Sequence, residues 1–368
     1  MTQTMESQAT EAQGTLPRVN HWIDGKLVPS TSGKSRPVYN PATGEQTKTV
    51  DIASVEEIEA AVAAAKTAFP MWRATSLAKR ADIMFRIRNA FDSHRDEIAA
   101  IITSEHGKVL SDSAGELARG IENIEFACGV PQLQKGEFSE QVSGGVDVYS
   151  IRQPLGVVAG ITPFNFPAMV PMWMFGNAIA AGNTFVLKPS TVDPSVSLYL
   201  AQLMKEAGLP DGVFNVIQGD RVAVAGLTEH PGIAAVSFVG STPAAKRIYE
   251  TGSQAGKRVQ ALGGAKNHML VLPDADIGLT ADAAVSAGYG SAGERCMAIA
   301  TIVTVGEVHD PLIEAIKERL PLVVIGDGTK PESLMGPLVT ETHRDKVASY
   351  IEAGASDGAT IVADGREH

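Results

Sequence analysis

Four short apolar runs, at 156–161, 184–187, 213–217 and 234–239, each lead into a helical segment, at 167–180, 194–207, 221–228 and 242–253. A chain that alternates strand and helix in this way folds as a parallel sheet with right-handed crossovers. Sheets of that kind take ligands beyond the carboxyl ends of their strands. Three polar clusters fall at those ends: Thr162-Pro163-Phe164-Asn165, Lys188-Pro189-Ser190 and Gly240-Ser241-Thr242. The expected fold class is α/β, with all three clusters on one rim.

The flanks are less regular. His21-Trp22-Ile23, Asp24-Gly25 and Lys26-Leu27-Val28 read as a hairpin with a tight turn. Ser54 and Glu57 form a capping box for a helix with Ile58, Val62, Ala65 and Phe69 on one face, which Pro70 is expected to stop. Further helical patterns cover 76–92, 94–106 and 112–127, and 145–153 alternates as a strand outside the main core. A second unit starts near Gly263, with strands at 268–272 and 300–305, a helix at 276–287 and the loop around Cys296 between them. Helices near 309–319 and 341–353 and a strand at Thr360-Ile361-Val362 complete it.

Composition narrows the function. The 368 residues carry 31 basic and 42 acidic side chains, a formal charge of −11, so a nucleic acid or an anionic membrane is a poor partner. The longest apolar stretch, 168–181, is interrupted by Pro171, Gly176 and Asn177 and is too short for a membrane span. Two cysteines, Cys128 and Cys296, exclude a disulfide framework and a cysteine-rich zinc site, and no metal is expected. The first 16 residues are polar and lack Lys and Arg, which reads as a disordered leader of a cytoplasmic protein rather than a secretory signal.

Several residues are able to carry chemistry. Cys296, in Ser-Ala-Gly-Glu-Arg-Cys-Met-Ala, is a nucleophile if positive potential favours its thiolate, and Arg295 is adjacent; an inert core thiol is the alternative, and Cys128 reads as one. Asn165 is either an oxyanion donor or a turn-forming residue. Ser241, where a strand gives way to a helix, suits a phosphate or is a simple N-cap. The Gly288, Gly290, Gly293 spacing follows a helix rather than a strand, so it fails as a dinucleotide fingerprint, and its glycines are read as letting the backbone approach a ligand beside Cys296.

Asn-Pro-Ala-Thr-Gly-Glu at 40–45, the stretch 161–167, Leu-Lys-Pro-Ser at 187–190, Phe-Val-Gly-Ser-Thr at 238–242, Leu-Gly-Gly at 262–264 and Cys296 occur in an order that resembles the aldehyde dehydrogenase superfamily. Arg-Gly-Ile-Glu-Asn at 119–123, Gly-Gly-Ala-Lys-Asn-His at 263–268 and Gly-Glu-Arg-Cys-Met-Ala at 293–298 resemble its CoA-acylating methylmalonate-semialdehyde dehydrogenase branch. In hydrolytic members a glutamate precedes the Leu-Gly-Gly and activates water; here that position is Ala261. Without the base, a thioester is left for a better nucleophile, such as the thiolate of coenzyme A.

The resemblance implies attack of Cys296 on the aldehyde, with Asn165 and the Cys296 backbone N–H holding the oxyanion. Hydride then passes to NAD and the acyl group to CoA. Methylmalonate or malonate semialdehyde also loses its carboxylate and gives propionyl-CoA or acetyl-CoA, as in valine, inositol or β-alanine breakdown. Arg119 and Arg295 match the substrate-binding arginines, whose guanidinium forks suit a carboxylate. Thr162, Phe164, Lys188, Ser241 and Gly263 match NAD contacts. Thr191, followed by Val192, stands where many relatives have a glutamate three residues after that lysine, so a 2′-phosphate meets no repulsion there. The rivals are a hydrolytic, CoA-independent semialdehyde dehydrogenase and a non-catalytic NAD-binding fragment.

The same resemblance divides the chain into a leader at 1–16, an NAD-binding domain at 17–139 and 154–262, an oligomerisation arm strand at 140–153 and a truncated catalytic domain at 263–368. The family's later Glu-x-Phe-Gly-Pro region and C-terminal oligomerisation strand have no counterpart here. On that reading the chain is C-terminally incomplete, of low stability and activity, and its full-length form is a homotetramer.

Overall fold

The structure, a computed structural model, describes residues 16–366, so all of the expected leader except Leu16 lies outside the described residues. The chain forms two compact units. The first takes the chain up to Tyr39, Gln46–Ile98 and Gly115–Gly263; the second takes Asn40–Glu45, Ala99–Ala114 and the chain from Gly264. The two short inserts of the second unit lie within the stretch that the sequence reading gave to the NAD-binding domain.

The first unit opens with strands β1 (Arg18–Val19), β2 (His21–Ile23), β3 (Lys26–Val28), β4 (Ser35–Tyr39) and β5 (Gln46–Asp51). Helices α1 (Val55–Ala74), α2 (Leu77–Ser93), α3 (Arg95–His106), α4 (Leu110–Cys128) and α5 (Val130–Leu133) follow, the division into units falling within α3 and within α4. Then come the hairpin β6 (Phe138–Ser143) and β7 (Val146–Tyr149) and the alternating series β8 (Val157–Ile161), α6 (Met169–Ala180), β9 (Thr184–Lys188), α7 (Ser195–Glu206), β10 (Phe214–Val216), α8 (Arg221–Glu229), β11 (Ile233–Val239), α9 (Thr242–Gln254) and β12 (Arg258–Leu262).

The central sheet has the order β12-β11-β8-β9-β10-β2-β3. Its first five strands are parallel, as the alternation requires, and the N-terminal hairpin joins antiparallel at the β10 edge. Ile161 pairs with Lys188 and with Phe238, so the ends of three strands share one rim and the residues that follow them emerge together. Inward-facing Val157, Ala159, Val186, Val236 and Phe238 bury against Ile58, Ala61, Val62 and Ala65 of α1.

Ser54 and Glu57 form the expected capping box. Pro70 does not stop α1, which runs on to Ala74. An interior proline costs about 3 kcal/mol. Burial of the last turn offsets it: Trp72 is fully enclosed and its indole N–H donates to the Ile179 carbonyl at 2.9 Å. The arm strand is shorter than 145–153; Val146–Tyr149 pairs antiparallel with Phe138–Ser143, and Phe138, Val148 and Tyr149 are exposed.

The second unit pairs β13 (Asn267–Val271) with β14 (Ile299–Thr304) in parallel. Between and after them come α10 (Ile277–Tyr289) and α11 (His309–Arg319), around a small core of Val271, Ala281, Val308 and Leu312, and then α12 (Glu341–Ser356), which contributes nothing to that core. The strand expected at Thr360–Val362 does not form; Ile361 and Val362 are exposed and pair with no strand among the described residues. No helix among the described residues is long and apolar enough to cross a membrane.

Candidate active site

The rim of the first unit is built from backbone geometry and a few buried polar groups. The Thr162 N–H donates to the Lys188 carbonyl at 3.1 Å, tying the end of β8 to the end of β9. The Thr162 hydroxyl is buried without a hydrogen-bond partner among the described residues, a cost that a bound polar ligand removes. Lys188 is buried, and loss of water pushes its ammonium down to about 8, opposed by Asp220 and Asp193 and assisted by Arg36. Thr191 and Val192 are half-buried, and the Val192 N–H donates to the Ser190 hydroxyl at 3.1 Å.

Ser241 opens α9 in extended conformation, and its side chain does not cap the helix. Ser241 is thus the exposed N-cap residue without acting as a side-chain cap, and a helix start of this kind suits an anion. The loop returning from β12 passes close by. A Cβ at Gly263 would lie 2.9 Å from the Thr242 hydroxyl oxygen and 3.1 Å from its Cα, so only glycine keeps that approach. An orphaned hydroxyl, an uncapped helix start and a Cβ-free loop on one rim fit a dinucleotide.

Phe164 and Asn165 are half-buried between β8 and α6. Glu116 of α4, which the sequence reading did not single out, holds this loop: its carboxylate is buried and accepts from the N–H groups of Ala168 (2.8 Å) and Met169 (3.1 Å). A carboxylate on the first N–H groups of a helix complements its dipole. Arg119, one turn further along α4, lies on the surface with its guanidinium on Glu122 at 3.0 Å. Ala261 is half-buried beside the central core and places no carboxylate at that position.

In the second unit, Cys296 is exposed, while Cys128 of the first is buried, with its thiol pushed up to about 11 by burial. Cys296 sits between α10 and β14 in an irregular loop. Ser291 and Ala292 are both left-handed (φ 53°), each costing about 1–2 kcal/mol for a residue with a Cβ. The amide of Asn267 offsets some of that strain by donating to the carbonyls of Cys296 and Ala298, each at 2.9 Å. Asn267 enters the sequence analysis only as part of the 263–268 motif and with no role of its own; an amide opening a strand does not announce one.

Arg295 does not turn its charge to bulk solvent: it pairs with Asp112 at 2.5 Å. Gly290 permits this, since a Cβ there would come within 2.7 Å of the guanidinium carbon. What Gly290 approaches is therefore the Arg295 side chain rather than the ligand expected there. The pair lines a cavity of about 370 Å³ together with Asp282, Ser286, Tyr289 and Arg319. No group of three or more acidic, His or Cys side chains that could hold a metal occurs among the described residues.

These features carry a family assignment. Residues 27–368 match the aldehyde dehydrogenase family, and the chain belongs to it. It is 51% identical over 354 residues to the malonate-semialdehyde dehydrogenase of Pseudomonas aeruginosa, covering 96% of this chain and 70% of that one. It is 46% identical to the mitochondrial methylmalonate-semialdehyde dehydrogenase [acylating] of Arabidopsis thaliana, over 99% of this chain and 60% of the relative. A Sinorhizobium meliloti structure solved with NAD superposes with a TM-score of 0.95 at 49% identity, over 97% of this chain and 73% of that one.

Proposed function

We propose that this chain catalyses NAD-dependent, CoA-acylating oxidation of malonate or methylmalonate semialdehyde through a thioester on Cys296. The observation that carries the reading is the contrast between the cysteines: Cys296 is exposed in a loop pinned by Asn267, whereas Cys128 is buried and its thiol pushed up. NAD supplies the hydride acceptor. Ser241 and the start of α9 take its pyrophosphate, Lys188 the adenosine ribose, and Thr162, Phe164 and Gly263 border the nicotinamide side; Thr191 and Val192 line the ribose end without a carboxylate. The names of the semialdehyde relatives and the NAD complex among the structural neighbours support this assignment.

The Cys296 sulfur adds to the aldehyde carbon and the Asn165 amide donates to the oxyanion, a contact whose loss typically costs ~10²–10³ in rate. After hydride departure the acyl group remains on sulfur. The substrate carboxylate leaves as carbon dioxide or bicarbonate, and because Ala261 offers no base to water, the thioester persists until the CoA thiolate attacks and Cys296 leaves, giving acetyl-CoA or propionyl-CoA; the acylating relative is named for acyl transfer. Arg295 and Arg119 take the substrate carboxylate by exchanging Asp112 and Glu122 for it. The test is NADH formation from malonate and methylmalonate semialdehydes with and without CoA. Acyl-CoA product formed only with CoA supports the reading; free acid at full rate without CoA refutes it.

A further inference from the structure

Glu294 lies two residues before Cys296, and its side chain is only 8% exposed. Its Oε1 accepts from the Val339 N–H at 3.4 Å and lies 3.8 Å from His343 Nδ1; its Oε2 lies 3.7 Å from His106 Nε2. Buried Lys108 completes the surroundings. The cysteine loop is thus fixed at two points: Asn267 grips the carbonyls of Cys296 and Ala298, and Glu294 seats the residue between them and the left-handed pair Ser291-Ala292.

We propose that Glu294 is a positioning residue for Cys296, anchoring the cysteine loop to residues 339–343 and 106–108, and that gain or loss of its proton resets how reactive the thiol is. The inference rests on Cys296 being the nucleophile. Protonated, the carboxyl sits as a neutral group in a buried pocket. Ionised, it binds the Val339 N–H more strongly and puts a negative charge close in sequence to the sulfur. Burial pushes Glu294 up to about 7, against the pull of the Val339 N–H and Lys108. Burial holds His106 well below its ordinary value, with Lys108 assisting, and it lowers His343, with Lys346 assisting. Near neutrality both imidazoles are uncharged and Glu294 is the member of the cluster that changes charge. Arg295, its neighbour, is turned to Asp112 instead.

The test is iodoacetamide alkylation of Cys296, followed peptide by peptide against Cys128 from pH 6 to 9, in wild type, E294Q and E294A. In wild type the Cys296 rate should show a second ionisation near pH 7 besides that of the thiol. E294Q keeps an acceptor for Val339 and should lose only that second step. E294A should lose that step too and, relative to E294Q, shift the rate about five-fold at every pH, the factor one hydrogen bond is worth. Cys296 alkylated no faster than Cys128 in wild type would sink the nucleophile reading itself. Fast alkylation with the same profile in wild type and E294Q overturns the role of Glu294, whether or not E294A folds.

Discussion

Lys188 makes the proposed cofactor site proton-dependent. Its ammonium is buried and depressed to about 8 from the ordinary 10.5. If the charged form grips the adenosine ribose, affinity follows the fraction of charged lysine in the free protein. About nine-tenths is charged at pH 7 and about one-tenth at pH 9, so the Kd for NAD should rise about ten-fold, or ~1.4 kcal/mol. The sign for folding is opposite. A lysine depressed in the folded state adds stability as pH rises from about 8 towards 10.5, so Lys188 makes the fold no weaker where binding weakens. Titration calorimetry at pH 7, 8 and 9 on wild type and K188M reads the binding effect, and urea denaturation at the same pH values reads the folding one. K188M should bind more weakly at pH 7 and show no slope. A flat Kd in wild type, or a ten-fold slope surviving in K188M, refutes the argument.

Three further outcomes follow from the packing. G290A pushes the Arg295 guanidinium off Asp112, so KM for a semialdehyde bearing a carboxylate should rise about ten-fold while an uncharged aldehyde is little affected; equal effects on both would dismiss Arg295 as the carboxylate fork. N267A frees two carbonyls of the cysteine loop and should change the Cys296 alkylation rate several-fold with Cys128 unaltered, and an unchanged rate would show that the loop holds itself. W72F keeps the ring but strands the Ile179 carbonyl, costing about 1–2 kcal/mol in urea denaturation; a midpoint identical to wild type would mean that water replaces the indole.

The parallel sheet and its rim were legible because strand–helix alternation is a local pattern, and Ile161, Lys188 and Phe238 do end up in register. Pro70 misled because its effect is local whereas the burial of Trp72 that overrides it is tertiary. Thr360–Val362 misled in the opposite sense, since β-branched residues make a strand only beside another strand. Glu116, Asn267 and Glu294 were invisible as anchors, because each acts on backbone groups supplied by distant segments: Ala168, Ala298 and Val339. Nor does any sequence rule put Ser291 and Ala292 in the left-handed region; the loop imposes it on them.

The edge of the central sheet is completed by the hairpin at residues 21–28, and His21 accepts from the N–H of Gln218, 197 positions away. At ribosomal speeds of about 5–20 residues per second, the hairpin waits roughly 10–40 s for that partner to be made. Vectorial synthesis thus delivers one border of the sheet first and its docking seat last, and a nascent chain arrested before Val216 carries an orphan ribbon with nowhere to close.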